Sequence, residues 1–180
     1  MIIGPKKLLK LVKKQKLVEG LSQRELSNPE GAGFDLRLGE LFKIVGGKAF
    51  LGETERQTPI LQSIIKYNKI KKNVYTISPG EYLLATTIEK VNIPKNMTVN
   101  FKPRTTTFRS GIYLRTGNVA PGYKGVLTFA LKNEGPIPVT LEMGCRIIHA
   151  QFYWVDGGGS MYRGQWQGGR VTTKSRETQV

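Results

Sequence analysis

PRTTTFRSGIYLRTGNVAPGYKG, residues Pro103 to Gly125, is the stretch on which the reading turns. Its front half sets Arg104 beside the hydroxyls of Thr105, Thr106 and Thr107, and Arg109 follows closely. Guanidinium groups, hydroxyls and backbone N–H donors are the usual ligands of phosphate. Alone, the run reads equally as a threonine-rich strand, because Thr fits a pleated surface. Its back half, GNVAPGYKG from Gly117 to Gly125, reads as a tight β-hairpin. A hairpin can read a flat base with its own N–H and C=O groups, and Pro121-Gly122 is also an ordinary turn dipeptide.

Around this stretch the chain alternates strand and turn signals. Val74 to Ile77, Tyr82 to Thr87, Thr98 to Lys102, Gly111 to Leu114, Val126 to Lys132, Val139 to Glu142 and Arg146 to Trp154 read as short strands. Phe34, Leu36 and Leu38 alternate with Asp35 and Arg37 in an earlier one. Such regular spacing predicts a mostly β fold, a barrel or jelly-roll-like sandwich. Pro5 to Lys16 reads as a short amphipathic N-terminal helix, with Pro5 at its start. Gly20 to Gly33 reads as a polar connection, and 48–73 as an insertion with a short helix around Ile60 to Tyr67. The tail, from Asp156 on, carries GGGS and YRGQWQGG and too little apolar content for a core. It reads as a mobile segment, 157–180, after a single domain spanning 1–156.

The chain's 28 Lys and Arg against 13 Asp and Glu give a net charge of +15, which favours phosphate-bearing partners. Six lysines fall in Lys6 to Lys16 and four in Lys66 to Lys72. Neither cluster interleaves the aromatics of a single-strand binder. Both read as a solvated helix face and a lysine-rich loop, so nucleic acid is not expected as a partner. The single Cys145 excludes an internal disulfide and a cysteine-based zinc cluster. No apolar run is long enough for a membrane helix and none resembles a secretory signal, so a cytoplasmic location without membrane contact is expected. His149, the lone histidine, sits in the apolar run RIIHAQF and reads as structural, with no nucleophile elbow, Walker A sequence or dinucleotide fingerprint elsewhere.

In order, AGFDLRLGE (Ala32 to Glu40), SPGEYLLATTIEKVNIP (Ser78 to Pro94), PRTTTFRSG (Pro103 to Gly111), VAPGYKG (Val119 to Gly125), NEGPIPVTLEMGCRI (Asn133 to Ile147) and YRGQWQGG (Tyr162 to Gly169) resemble the motifs of the dCTP deaminase and dUTPase superfamily. The match is similar in pattern to the archaeal-type dUTPase branch of the deaminase family. The resemblance implies a distorted jelly-roll β-barrel of the dUTPase type and a homotrimer with active sites between subunits. It also implies Mg²⁺ held by the triphosphate rather than by protein ligands. By position, Arg104, Thr105, Thr106 and Arg109 would bind phosphate. Gly117, Asn118 and Val119, with Tyr123 beside them, would read the pyrimidine. Tyr162, Arg163, Gln165 and Gln167 would belong to a tail closing over the triphosphate. His149 stands where the family carries Gln, with Gln151 on the same strand face, and both become nucleotide contacts on this reading.

Two departures bear on the chemistry. The deaminase glutamate falls at Ala130, which leaves deamination unsupported. The aspartate that activates water in a dUTPase falls at Ala120. An engineered Asp→Ala change, a natural non-catalytic binder of dUTP, and support from another acid such as Asp35 all remain open. The expected function is a dUTP diphosphatase, turning dUTP into dUMP and diphosphate. The alternatives are a dCTP deaminase and a silent dUTP-binding homologue.

Overall fold

Phe34, Leu36 and Leu38 are all fully buried on one face of a long strand, as their spacing predicts. The computed structural model describes residues 1–178 and sets that strand at the centre of the fold. In chain order the elements are α1 (Pro5–Gln15), β1 (Val18–Glu19), α2 (Gln23–Ser27), β2 (Phe34–Gly46), β3 (Phe50–Leu51), β4 (Glu55–Gln57), β5 (Ile60–Lys66), β6 (Val74–Ile77), β7 (Tyr82–Asn92), β8 (Met97–Pro103), α3 (Thr105–Arg109), β9 (Ile112–Arg115), β10 (Lys124–Asn133), β11 (Val139–Glu142), β12 (Arg146–Trp154) and β13 (Glu177–Thr178).

The main sheet runs β8-β12-β2-β7-β10-β9, with β1 added on β7 and β5 on β2. Its two ends meet through a single bridge between Val119 and Val99. The sheet is therefore a nearly closed barrel, which leaves few free edges. Two small sheets, β11-β6 and β13-β4-β3, flank it. The interior is filled by alternate side chains such as Leu83 and Ala85, Met97 and Val99, and Ala150 and Phe152. Phe34 meets Phe152 edge-on at 6.0 Å. Gly33 is a glycine by necessity, because a Cβ there would collide with the carbonyl of Ala150 on the neighbouring strand.

α1 forms where expected. Gly4 caps it, Pro5 opens it, and Lys16 ends it in the left-handed region at φ 52°. Leu8 is fully buried against the barrel, and Leu9, Leu11 and Val12 pack on the same core.

Several local readings need correction. Ile60 to Tyr67 is not a helix but β5, antiparallel to β2 with Leu41 opposite Ile65 and Phe42 opposite Ser63. The pairs Ile60-Leu61 and Ile64-Ile65 imitate helical spacing, but β-branched isoleucine suits a strand wherever a partner edge is free. Arg104 to Arg109 is neither loop nor strand, since α3 occupies Thr105–Arg109. The polar connection contains α2, whose cap is Ser22: its Oγ accepts from the Glu25 N–H at 3.3 Å.

Gly117 to Gly125 is not a hairpin. Its residues leave β9 as a loop, cross to β8 at Val119 and enter β10 at Lys124. The described residues after Asp156 lie against the barrel. Thr173 is buried there and Glu177 pairs with Arg56.

Candidate functional site

A cleft of about 360 Å³ opens where the Gly117–Tyr123 loop, β10 and the tail meet. Phe101, Leu127 and Phe129 form an apolar floor, and Phe101 stacks edge-on against Phe129 at 5.2 Å. Gly117, Asn118, Val119, Ala120 and Tyr123 form one rim. Tyr162, Trp166, Arg170 and Val171 form the other, and Thr58 closes a corner.

The rim's backbone divides sharply. Val119 donates its N–H to the Val99 carbonyl at 2.8 Å and accepts from the Val99 N–H at 3.1 Å. Its carbonyl also accepts from Thr98 Oγ1 at 2.8 Å. Its peptide groups are thus committed to closing the barrel. Gly117 and Asn118 are exposed and carry no backbone bond to the described residues. Of the three, only Gly117 and Asn118 leave peptide groups unpartnered at the cleft among the described residues.

The tail takes the place of the missing second hairpin strand. Lys124 N–H donates to Gln167 Oε1 at 2.8 Å, and Gln167 Nε2 donates to the Gly122 carbonyl at 3.1 Å. Tyr162 N–H donates to the Pro121 carbonyl at 2.6 Å, and Gly168 N–H to that of Lys124 at 2.8 Å. Gly125, at φ 143°, admits this approach: a Cβ there would lie 2.6 Å from the Gly169 nitrogen. The Tyr162 ring meets Tyr123 edge-on at 5.4 Å. Burial pushes the Tyr123 phenol up to about 12, so it stays protonated and donates to the Val126 carbonyl at 2.6 Å. Arg170 is held by Glu177 Oε1 at 2.6 Å and Oε2 at 3.2 Å, and Gln165 donates to the same carboxylate at 3.0 Å.

A second polar cluster surrounds Asp35, which is only 2% exposed. Its Oδ2 pairs with the guanidinium of Arg104 and, at 3.0 Å, with that of Arg146. His149 Nδ1 lies 2.9 Å from Oδ1. Burial, with Arg104 nearby, holds His149 below its ordinary pKa, against the pull of Glu25 and Glu30. The neutral ring then donates its Nδ1–H to Asp35, which fixes the tautomer. Glu25, fully buried, accepts from the Asp35 N–H at 3.0 Å. Asp35 does not line the cleft. Its carboxylate is contacted by Arg104, Arg146 and His149, with Arg24 Nη1 3.8 Å from Oδ2.

Of the residues singled out from sequence, Gly117, Asn118, Val119, Ala120, Tyr123 and Tyr162 line the cleft. Arg104, Thr105, Thr106 and Arg109 do not; Thr105, Thr106 and Arg109 are exposed on α3. His149 and Gln151 share a face of β12 outside the cleft, and Gln151 accepts from the Tyr153 hydroxyl at 3.0 Å. Gln165 and Gln167 brace the tail, and Arg163 is exposed. Trp166 and Arg170, in and beside YRGQWQGG, also line the cleft, and the motif's aromatic and basic content is the signal that points to them. Thr58 carried no sequence signal. No Asp or Glu lines the cleft among the described residues.

A family model described as dCTP deaminase-like matches residues 2–154. The chain belongs to that family. It is 30% identical over 143 residues to a probable deoxyuridine 5′-triphosphate nucleotidohydrolase of Methanothermobacter thermautotrophicus, covering 79% of this chain and 89% of the relative. It is 32% identical over 157 residues to a dUMP-forming dCTP deaminase of Dictyoglomus turgidum, covering 85% and 80%. The crystal structure of the dCTP deaminase from Agrobacterium tumefaciens shares the fold, with a TM-score of 0.64 at 14% identity over 84% of this chain. The chain spans about half the length of that protein, 47%. The family thus groups nucleotide-processing enzymes, and its match ends before Tyr162, Trp166 and Arg170.

Proposed function

We propose that this protein binds dUTP in the cleft and is a dUTP diphosphatase whose hydrolysis is attenuated. The observation that carries the reading is the cleft's construction. Unpartnered peptide groups of Gly117 and Asn118 stand over an aromatic floor, beneath a tail supplying Trp166 and Arg170. A flat pyrimidine needs such a combination: apolar contact on its faces and fixed donors and acceptors at its edge.

In the reaction, water attacks the α-phosphorus, the bond to the bridging oxygen breaks, and dUMP and diphosphate leave. Arg104 and Arg109 would neutralise the charge that develops on phosphate. Neither lines the cleft of its own chain, which favours a homotrimer in which α3 of one protomer completes the cleft of another. Mg²⁺ would arrive as part of the substrate, on the triphosphate. The described residues offer no group of three or more His, Cys, Asp or Glu to hold it independently. A cytoplasmic location, beside the nucleotide pool, fits such a substrate.

Ala120 lines the cleft where the family's water-activating aspartate is expected, and among the described residues no carboxylate lines the wall. Loss of a general base costs on the order of 10² to 10⁴ in rate. Strong binding with slow turnover is therefore the expected phenotype. Deamination of dCTP is disfavoured by Ala130, which leaves no carboxylate to shuttle protons.

Incubation with Mg·dUTP and Mg·dCTP, following diphosphate and ammonia, tests this directly, with calorimetry measuring binding. Micromolar dUTP binding with slow diphosphate release supports the proposal. Ammonia release from dCTP, or no affinity for either nucleotide, overturns it.

A further inference from the structure

The two lysine clusters look alike in sequence, but the fold separates them. Lys66 lies 3.6 Å from Glu40 and Lys72 lies 3.3 Å from Glu142, so the loop cluster is partly neutralised. None of the six lysines from Lys6 to Lys16 pairs with an acid among the described residues. No Asp or Glu precedes Glu19 in the chain. Surface charge that serves thermal stability comes as networks of opposite signs. This face has one sign.

Its geometry is regular. At 3.6 residues per turn, Lys6, Lys7, Lys10, Lys13 and Lys14 fall within about 120° of arc on α1, over about 12 Å of its length. Leu8, Leu9, Leu11 and Val12 take the opposite side and pack on the barrel. The basic face continues past the helix end. Lys16 and Lys124 line one shallow groove with Gln15 and Asn92. The groove's acid, Glu19, accepts from Asn92 Nδ2 at 2.9 Å.

We propose that this face binds the phosphate backbone of double-stranded nucleic acid without sequence preference. The inference is independent of the dUTP reading. A stripe of cations about 12 Å long matches several phosphates of a duplex, which carries one charge per about 1.7 Å of axis. The one aromatic beside the patch, Trp154, sits under Lys7 Nζ at 5.0 Å, which favours a duplex backbone over the stacked bases of a single strand. A bilayer surface is the poorer match, because the apolar side of α1 is already docked and has nothing to insert.

The test is fluorescence anisotropy with a labelled 20-base-pair duplex from 50 to 300 mM salt. Log affinity should fall linearly with log salt, with a slope of about 4 to 6 for five to seven lysines. The triple variant Lys10→Gln, Lys13→Gln, Lys14→Gln should lower that slope by about 3 while its thermal unfolding stays unchanged. A control variant, Lys66→Gln, Lys69→Gln, Lys71→Gln, Lys72→Gln, should leave it nearly unchanged. No binding at 50 mM salt overturns the proposal. So does an equal loss in both variants, which would mean net charge alone, or tighter binding to single strands. Affinity for phosphatidylserine vesicles without affinity for duplex overturns it as well.

Discussion

His149 Nδ1 lies 2.9 Å from Asp35 Oδ1, with β12 and β2 in register at these two residues. The lone histidine and the first sequence motif are therefore one polar unit, not two features. Asp35 also gathers Arg104 and Arg146, so a single buried carboxylate on β2 holds two side chains of β12 and the residue that caps α3.

Asp35→Ala should leave two arginines close together without their anion. A loss of about 3 kcal/mol is expected, at the low end for breaking a buried pair because Arg104 and Arg146 stay partly solvated. Urea unfolding measures it. A loss under about 1 kcal/mol would show that the cluster does not hold the strands.

The His149 interaction predicts a pH dependence. Burial depresses its folded pKa below the ordinary 6.5, so folding favours the neutral ring. That contribution is complete above the unfolded pKa and is lost as pH falls from about 6.5 through the folded value. His149→Gln should flatten the urea midpoint between pH 7 and 5 relative to the parent. Because the comparison is a difference, other groups such as the buried Glu89 cancel. Parallel curves would refute it.

Ala120→Asp returns a carboxylate to the cleft rim. Diphosphate release from dUTP should rise by about 10²-fold or more, with little change in dUTP affinity. An unchanged rate would mean that Ala120 does not face the reacting phosphorus.

Gly125→Ala should displace the tail, because the new methyl meets Gly169 and φ 143° disfavours a side chain. dUTP affinity should weaken about tenfold or more while far-ultraviolet circular dichroism retains the strand signal. Undiminished affinity would place the tail outside the binding site.

Most of the barrel was legible because alternation dictates it. Val74–Ile77, Val139–Glu142 and Arg146–Trp154 match their expected bounds. Ile60–Lys66 was misread because its apolar pairs satisfy both periods, and only the free edge of β2 decides between them. The cleft was half legible. Gly117 to Tyr123 announced itself by glycine and proline, whereas Phe101, Phe129 and Thr58 look like ordinary strand and loop residues until the sheet folds. The Val119 peptide looks free in the sequence, which cannot show that Val99 already occupies it. The tail looked coreless because its anchorage is mostly backbone and amide hydrogen bonds, with few apolar residues to signal them.

Glu177, which grips Arg170 at the cleft rim, also lies in β13 and pairs with β4 opposite Arg56. Ligand occupancy and the order of the β3–β4 ribbon are consequently linked quantities. On the proposed function, a nucleotide that favours the closed tail is expected to protect the β4 amides from hydrogen exchange. By reciprocity, anything that clasps the ribbon must change nucleotide affinity by the same factor. The insertion that looked least readable becomes a handle on the pocket, through Thr58 in its wall and through the β4–β13 pairing beyond it.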